Sequence, residues 1–216
     1  MSPLLIVIII VISAFIFLRL KRKQLHVKRS QLVDSFVFPD KVYERVQAEY
    51  PHLSKREVQS VIEGLREYFQ ISLLAKRKAL AMPSQAVDVA WHEFILFTRE
   101  YHHFCNKALG RFLHHTPAEA MSSPTIAQEG IKRAWRLSCF RESINTQSPQ
   151  RLPLLFSIDA KLKIENGFKY SLNCQGKKGD QYCASHIGCG SGCSGGSSDS
   201  HSSNDSGCSS GGCGGD

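Results

Sequence analysis

The sequence predicts a mainly α protein: an N-terminal transmembrane helix, a compact helical domain with a small β-hairpin, and a disordered Gly/Ser/Cys-rich tail. Three observations carry this reading. Leu4 to Leu18 is apolar except for Ser13 and is followed at once by Arg19, Lys21, Arg22 and Lys23. Between residues 40 and 142 the apolar side chains recur at helical spacing. From Gly188 onward, the last 29 residues hold ten Gly, ten Ser, four Cys and no large aliphatic or aromatic side chain.

Taken in order, the first run reaches roughly 25 Å as a helix, near the low end for a membrane span. No Lys or Arg precedes it, and its basic flank favours the cytoplasm. The expected topology is single-pass in a bacterial inner membrane, with residues 24–216 cytoplasmic. A cleaved signal peptide would place positive charge before the apolar core and small residues after it, and neither is found. The expected organisation is an anchor over 1–20, a basic juxtamembrane stalk over 21–35, a helical domain with a C-terminal hairpin over 36–174, and the tail over 175–216.

Phe36, Val37 and Phe38 before Pro39 mark the edge of the core. Asp40 to Glu49 forms a short helix closed by Tyr50-Pro51. Ser54 with Glu57 three residues later is a capping box, opening a helix whose inner face is Val58, Val61, Ile62, Leu65, Tyr68, Phe69 and Leu73. Pro83-Ser84 opens a third helix, predicted to run to Leu109 and stop at Gly110. One face of it carries Val87, Ala90, Trp91, Phe94, Phe97, Tyr101, Phe104, Cys105 and Ala108. The opposite face carries Asp88, His92, Arg99, His103 and Asn106. A fourth helix spans about 125–142, burying Ile131, Ala134, Trp135 and Leu137, and Leu152 to Phe156 is a short apolar segment. Lys161 to Leu172 alternates around Asn166-Gly167, the signature of a hairpin, which must pack on the helices to be stable. The tail cannot bury enough apolar surface to offset the entropy of ordering.

The formal net charge is +8, and six of those charges lie between residues 19 and 29, where no acidic residue offsets them. That cluster suits anionic lipid headgroups, and the remaining charge calls for no nucleic-acid partner. The eight cysteines are expected as thiols or metal ligands in a reducing compartment.

Three groups of residues carry chemistry. Asp88 and His92 are one helical turn apart, so the carboxylate can orient the imidazole as a metal ligand or general base. A helix-surface hydrogen bond explains the same pair. His102, His103, Cys105, His114 and His115 form a second group. His103 lies about 16 Å beyond His92 along a straight helix, so those two cannot share an ion. The turn at Gly110 can return His114 or His115 toward the helix. The third group is Cys183, His186, Cys189 and Cys193, whose spacing can wrap a tetrahedral ion such as zinc or another soft divalent metal. A low-complexity tail that happens to contain cysteine is the competing explanation. No P-loop, Rossmann glycine pattern, G-x-S-x-G or H-E-x-x-H is present.

Residues 82–117, with GIKRAWRLSC at 130–139 and LPLLFSIDAKLKIENGFKYSL at 152–172, resemble an uncharacterised bacterial family of membrane-anchored proteins. The resemblance covers about residues 36–174. Its core is similar, more distantly, to the conserved module of plant glycine-rich domain proteins, which carries an Asp-x-x-Trp-His-x-His element. Asp88, Trp91 and His92 match that element, whereas Phe94 replaces its second His. The resemblance implies the fold unit and the Cys-bearing tail, and no reaction.

The function expected is that of a membrane-tethered cytoplasmic interaction or scaffold protein, metal-responsive, with a protein partner. One alternative is a metal-dependent hydrolase using Asp88 and His92. Another is metal storage or delivery by the Cys-rich tail.

Overall fold

A computed structural model describes residues 3–115, 124–172, 182–183 and 187. Seven α-helices are found among them: α1 (Pro3–Ser35), α2 (Asp40–Glu49), α3 (Lys55–Ala75), α4 (Gln85–Leu96), α5 (Thr98–Phe104), α6 (Pro124–Arg141) and α7 (Leu154–Lys161). A π-helical turn, Cys105–Leu109, extends α5. Two strands, β1 (Tyr170–Ser171) and β2 (Tyr182–Cys183), pair in parallel.

Helix α3 is the axis of the domain, touching α1, α2, α4, the π turn, α6 and α7. Its N-terminus is set as the capping box requires: Ser54 Oγ accepts from the Glu57 N–H, and the Glu57 carboxylate accepts from the Ser54 N–H at 2.8 Å. Toward its C-terminus Tyr68 to Leu73 are all buried, polar Gln70 and Ser72 included. A helix apolar on one stripe covers one neighbour, and one buried all round sits between layers. Gln70 bonds α1: its amide donates to the Ser30 carbonyl at 2.9 Å and the Asp34 carboxylate at 2.6 Å, and its oxygen accepts from Ser30 Oγ. Arg66 closes the end of α1 by donating to the Val33 and Phe36 carbonyls, its guanidinium resting over the Phe38 ring. Orphan carbonyls at a helix C-terminus need such donors.

The expected N-terminal transmembrane helix is not supported. Among the described residues no helix is long and apolar enough to cross a membrane. The unbroken apolar run from Leu4 to Leu18 is fifteen residues, against roughly 20 needed for a hydrocarbon core about 30 Å thick. The helix then continues through the basic cluster without a break. Residues 21–35 form the second half of the same helix, and Val33 near its end is fully buried.

The expected third helix is broken at Phe97, whose ψ of 61° leaves the helical region. Along a straight helix Phe94 and Tyr101 would be about 10 Å apart. The bend brings their ring centroids to 5.3 Å and sets Phe104 against Phe36, Phe69 and Phe94. Aromatic packing therefore outweighs the helical hydrogen bonds lost at the bend.

The small β-hairpin over Lys161–Leu172 is also corrected. Lys161 ends α7, Lys163 takes a left-handed φ of 54°, and the Ile164 N–H returns to the Asp159 carbonyl at 2.9 Å. Leu162 and Ile164 are both buried, serving as plugs beneath the turn. Gly167 approaches so closely that a Cβ there would lie 2.7 Å from the Asp159 Cβ. The Asn166-Gly167 turn thus presses the chain onto α7 instead of reversing a strand, and β1 pairs with residues twelve positions further on, in β2.

What draws this segment in is the carboxylate of Asp159, only 2% exposed. It accepts from Ser84 Oγ at 2.6 Å, the Gln85 N–H at 2.7 Å, the Ala86 N–H at 3.3 Å and the Phe168 N–H at 3.0 Å. Ser84 in turn caps α4 by accepting from the Val87 N–H at 3.1 Å. The negative charge lies at the positive end of α4, where the helix dipole favours it.

Replacing Asp159 by Ala leaves several buried donors without an acceptor, at about 1–3 kcal/mol each. Urea unfolding of Asp159→Ala should show a loss of about 3 kcal/mol or more, and Asp159→Asn a smaller one because an acceptor oxygen remains; a loss below about 1 kcal/mol for Ala contradicts this role. Ser54→Ala should cost about 1 kcal/mol through loss of the cap, read as a lower urea midpoint at unchanged slope.

Candidate metal centre

Among the described residues, one group of potential metal ligands lies along the exposed edge of α4. Asp88 is in the first turn, and His92 follows one turn later on the same face. The His92 Nδ1 is 3.0 Å from the Asp88 carbonyl oxygen and 3.2 Å from its Oδ2. His115 arrives from the segment after the π turn and places Nε2 2.9 Å from Asp88 Oδ1. The two imidazole rings are 4.1 Å apart between centroids. Potential ligand atoms of all three residues lie within 4.8 Å of one another.

Access differs among the three. The His92 side chain is 52% exposed, that of Asp88 21% and that of His115 12%. Two ligands are thus held by the protein and one faces solvent. Among the described residues Asp88 forms ion pairs only with these two histidines. Its charge reaches two phenols that stay neutral: burial first, then nearby carboxylates including Asp88, pushes Tyr50 up to about 12, and burial and Asp88 raise Tyr68 too.

The donor set fits a divalent transition ion. Two imidazoles and a carboxylate are borderline ligands that suit zinc, and three protein ligands leave a position open. Donors around one tetrahedral ion stand about 3.3 Å apart, so the set must tighten to hold one ion, and His92 is the most exposed of the three.

The approach of His115 depends on the turn before it. Gly110 adopts a φ of +70°, and a Cβ there would lie 2.1 Å from an Arg29 guanidinium nitrogen. The chain then passes Leu113, buried beneath the aromatic cluster, and reaches His115. Tyr101 Oη donates to the Leu113 carbonyl at 2.5 Å and accepts from Trp91 Nε1 at 3.1 Å. Burial dominates the raised pKa of both Tyr101 and Cys105. Cys105 is a buried free thiol, and it is not in the ligand group.

Three of the seven residues singled out in the helix and its downstream turn, Asp88, His92 and His115, come together here. His103 and His114 do not. His103 is exposed on α5, and His114 is exposed with its ring 4.8 Å from that of Phe112. His102 is likewise exposed, 3.3 Å from the Asn106 amide. Trp91 is 3% exposed while His92 is exposed with a polar partner, as the two-faced reading of the helix requires. In the tail set, His186, Cys189 and Cys193 lie outside the described residues, and of Cys183 only its place in β2 is described. The sequence reading did not find Tyr101 as the link to this site. Its position in the apolar stripe concealed the hydroxyl, and no spacing rule connects residue 101 with residue 113.

Comparison with curated proteins and with solved structures returns no match. A family model described as UCP032817-like matches residues 28–187. The match begins inside α1, near the residues that bond α3, and ends at Ile187, whose side chain packs on the core. It thus takes in the whole candidate metal centre, and the chain belongs to the UCP032817-like family.

Proposed function

We propose that this protein is a metal-responsive interaction module, in which a divalent transition ion, zinc by donor type, binds Asp88, His92 and His115. The carrying observation is the convergence of these three side chains from two segments 27 residues apart onto one carboxylate. An ion there joins α4 to the segment after Gly110 and replaces hydrogen bonds by stronger coordination. Metal occupancy then sets the order of a surface that a partner protein can read.

Asp88-x-x-Trp91-His92 matches only part of the Asp-x-x-Trp-His-x-His element of the glycine-rich domain module, so that likeness does not itself argue for a metal. Phe94, where that module has its second His, is fully buried in the aromatic core and faces away from His92. In this chain His115 supplies the further imidazole. The six basic residues between 19 and 29 support attraction to anionic headgroups at the cytoplasmic face of a bacterial inner membrane, and this attraction needs no span.

A second reading, metal-dependent hydrolysis, is favoured by one feature: two histidines and one carboxylate with an open position are a donor set that catalytic zinc sites use. Storage or delivery by Cys183, His186, Cys189 and Cys193 is a separate proposal, and it is removed from the test by design.

The test is zinc binding by competition with a chromophoric chelator. It uses the full chain without an affinity tag, with Cys174, Cys183, Cys189, Cys193, Cys208 and Cys213 changed to Ser. One zinc per chain is expected, with affinity at least tenfold weaker in Asp88→Ala and His115→Ala. No zinc bound, or equal affinity in those variants, contradicts the proposal. Turnover of an activated phosphate or carboxylic ester by the zinc-loaded chain, lost in His92→Ala, would favour hydrolysis.

A further inference from the structure

The segment that carries His115 is fastened to α4 at a second point, and this point involves no metal ligand. Trp91 stands between Asp88 and His92 on α4 and points the other way, into the core, at 3% exposure. Its Nε1 donates to Tyr101 Oη at 3.1 Å, and Tyr101 Oη donates to the Leu113 carbonyl at 2.5 Å. The Tyr101 ring lies edge-on to Phe94 and to Phe112. The Trp91 ring also meets the His115 ring edge-on, with centroids 4.5 Å apart. One buried hydroxyl therefore spans from the helix that bears two of the ligands to the residue two positions before the third.

We infer that Tyr101 is a positioning residue for the Asp88–His92–His115 centre, holding His115 against Asp88 through the Trp91–Tyr101–Leu113 hydrogen-bond chain. This inference rests on the metal reading for its consequence, whereas the positioning itself is a property of the metal-free protein. The hydroxyl suits the task because it does two things at once. It accepts from an indole N–H that has no other acceptor described, and it donates to a carbonyl at the buried end of the segment. Burial raises its pKa, so at neutral pH it remains a phenol that can do both. Without it, a buried N–H and a buried C=O both lose their partner, and the inexpensive remedy is for the segment to move outward to water. His115 would move with it. Groups that orient a metal ligand from behind in this manner typically change affinity by about 10–100-fold.

Tyr101→Phe keeps the ring and its packing and removes only the hydroxyl. Two measurements on the tail-substituted full chain test the inference. In the metal-free protein, proton NOEs between the His115 and Trp91 rings are expected in the parent and expected to be lost or strongly weakened in Tyr101→Phe. In the metal-bound protein, cobalt(II) is used as the probe. Tyr101→Phe is expected to bind it about tenfold or more weakly, with its visible d–d band altered in position or intensity. Leu65→Ala, a buried α3 substitution away from the hydrogen-bond chain, should lower the melting temperature and leave the band unchanged. Unchanged ring NOEs in Tyr101→Phe overturn the inference whatever the metal does. Loss of the NOEs in Tyr101→Phe, together with a parent that binds no cobalt, retains the positioning role and refutes the metal centre. Equal cobalt affinity and an equal band in Tyr101→Phe refute its consequence for the site.

Discussion

The fold depends on one buried carboxylate. Asp159 is placed by α7, yet three of its four hydrogen-bond donors belong to the start of α4 and the fourth to the turn at Phe168. A charge at 2% exposure is tolerable only when its oxygens are fully occupied, and here they are. This arrangement fixes where α4 begins and how it is rotated about its own axis. It also draws the 162–168 segment beneath the helices, where Leu162 and Ile164 fill the space.

From that rotation the candidate metal centre follows. With Ser84 and Gln85 held by Asp159, Ala86, Val87, Ala90 and Phe94 enter the core, and Asp88 and His92 fall on the edge of α4. The bend at Phe97 then folds α5 back, bringing Tyr101 under Trp91 and turning the chain toward Leu113 and His115. The ligands thus come from a helix edge and a turn that are joined by buried aromatic polar groups. Two of the site's three sides are set by packing, and the exposed His92 is the side left to respond.

Much of the helical fold was legible in the sequence, because capping and periodicity are local. Ser54 with Glu57 and the Asp40–Glu49 helix are set by neighbours in the chain, and the Pro83-Ser84 start carries a local signal that Asp159 then fixes. The misreadings arise where distant contacts win. Asn166-Gly167 reads as a hairpin until Asp159 captures the Phe168 N–H. Residues 84–109 read as one helix until the Phe36, Phe69 and Phe104 rings reward a bend. The apolar stretch of α1 reads as a span, but among the described residues no helix is long and apolar enough for one. At the site, Asp88 and His92 were visible as an i, i+4 pair. Choosing His115 over His103 and His114 requires knowing where the turn after Gly110 points, and the Tyr101 bond to the Leu113 carbonyl holds that turn.

The central claim is that Asp88, His92 and His115 form one coordination sphere. X-ray absorption at the zinc edge tests it most directly, on the zinc-loaded full chain with the six cysteines from 174 onward replaced by Ser. The account predicts a first shell of nitrogen and oxygen only, at about 2.0–2.1 Å, with outer-shell scattering from two imidazoles. A sulfur shell near 2.3 Å, scattering from fewer than two imidazoles, or no stoichiometric zinc to measure would contradict it.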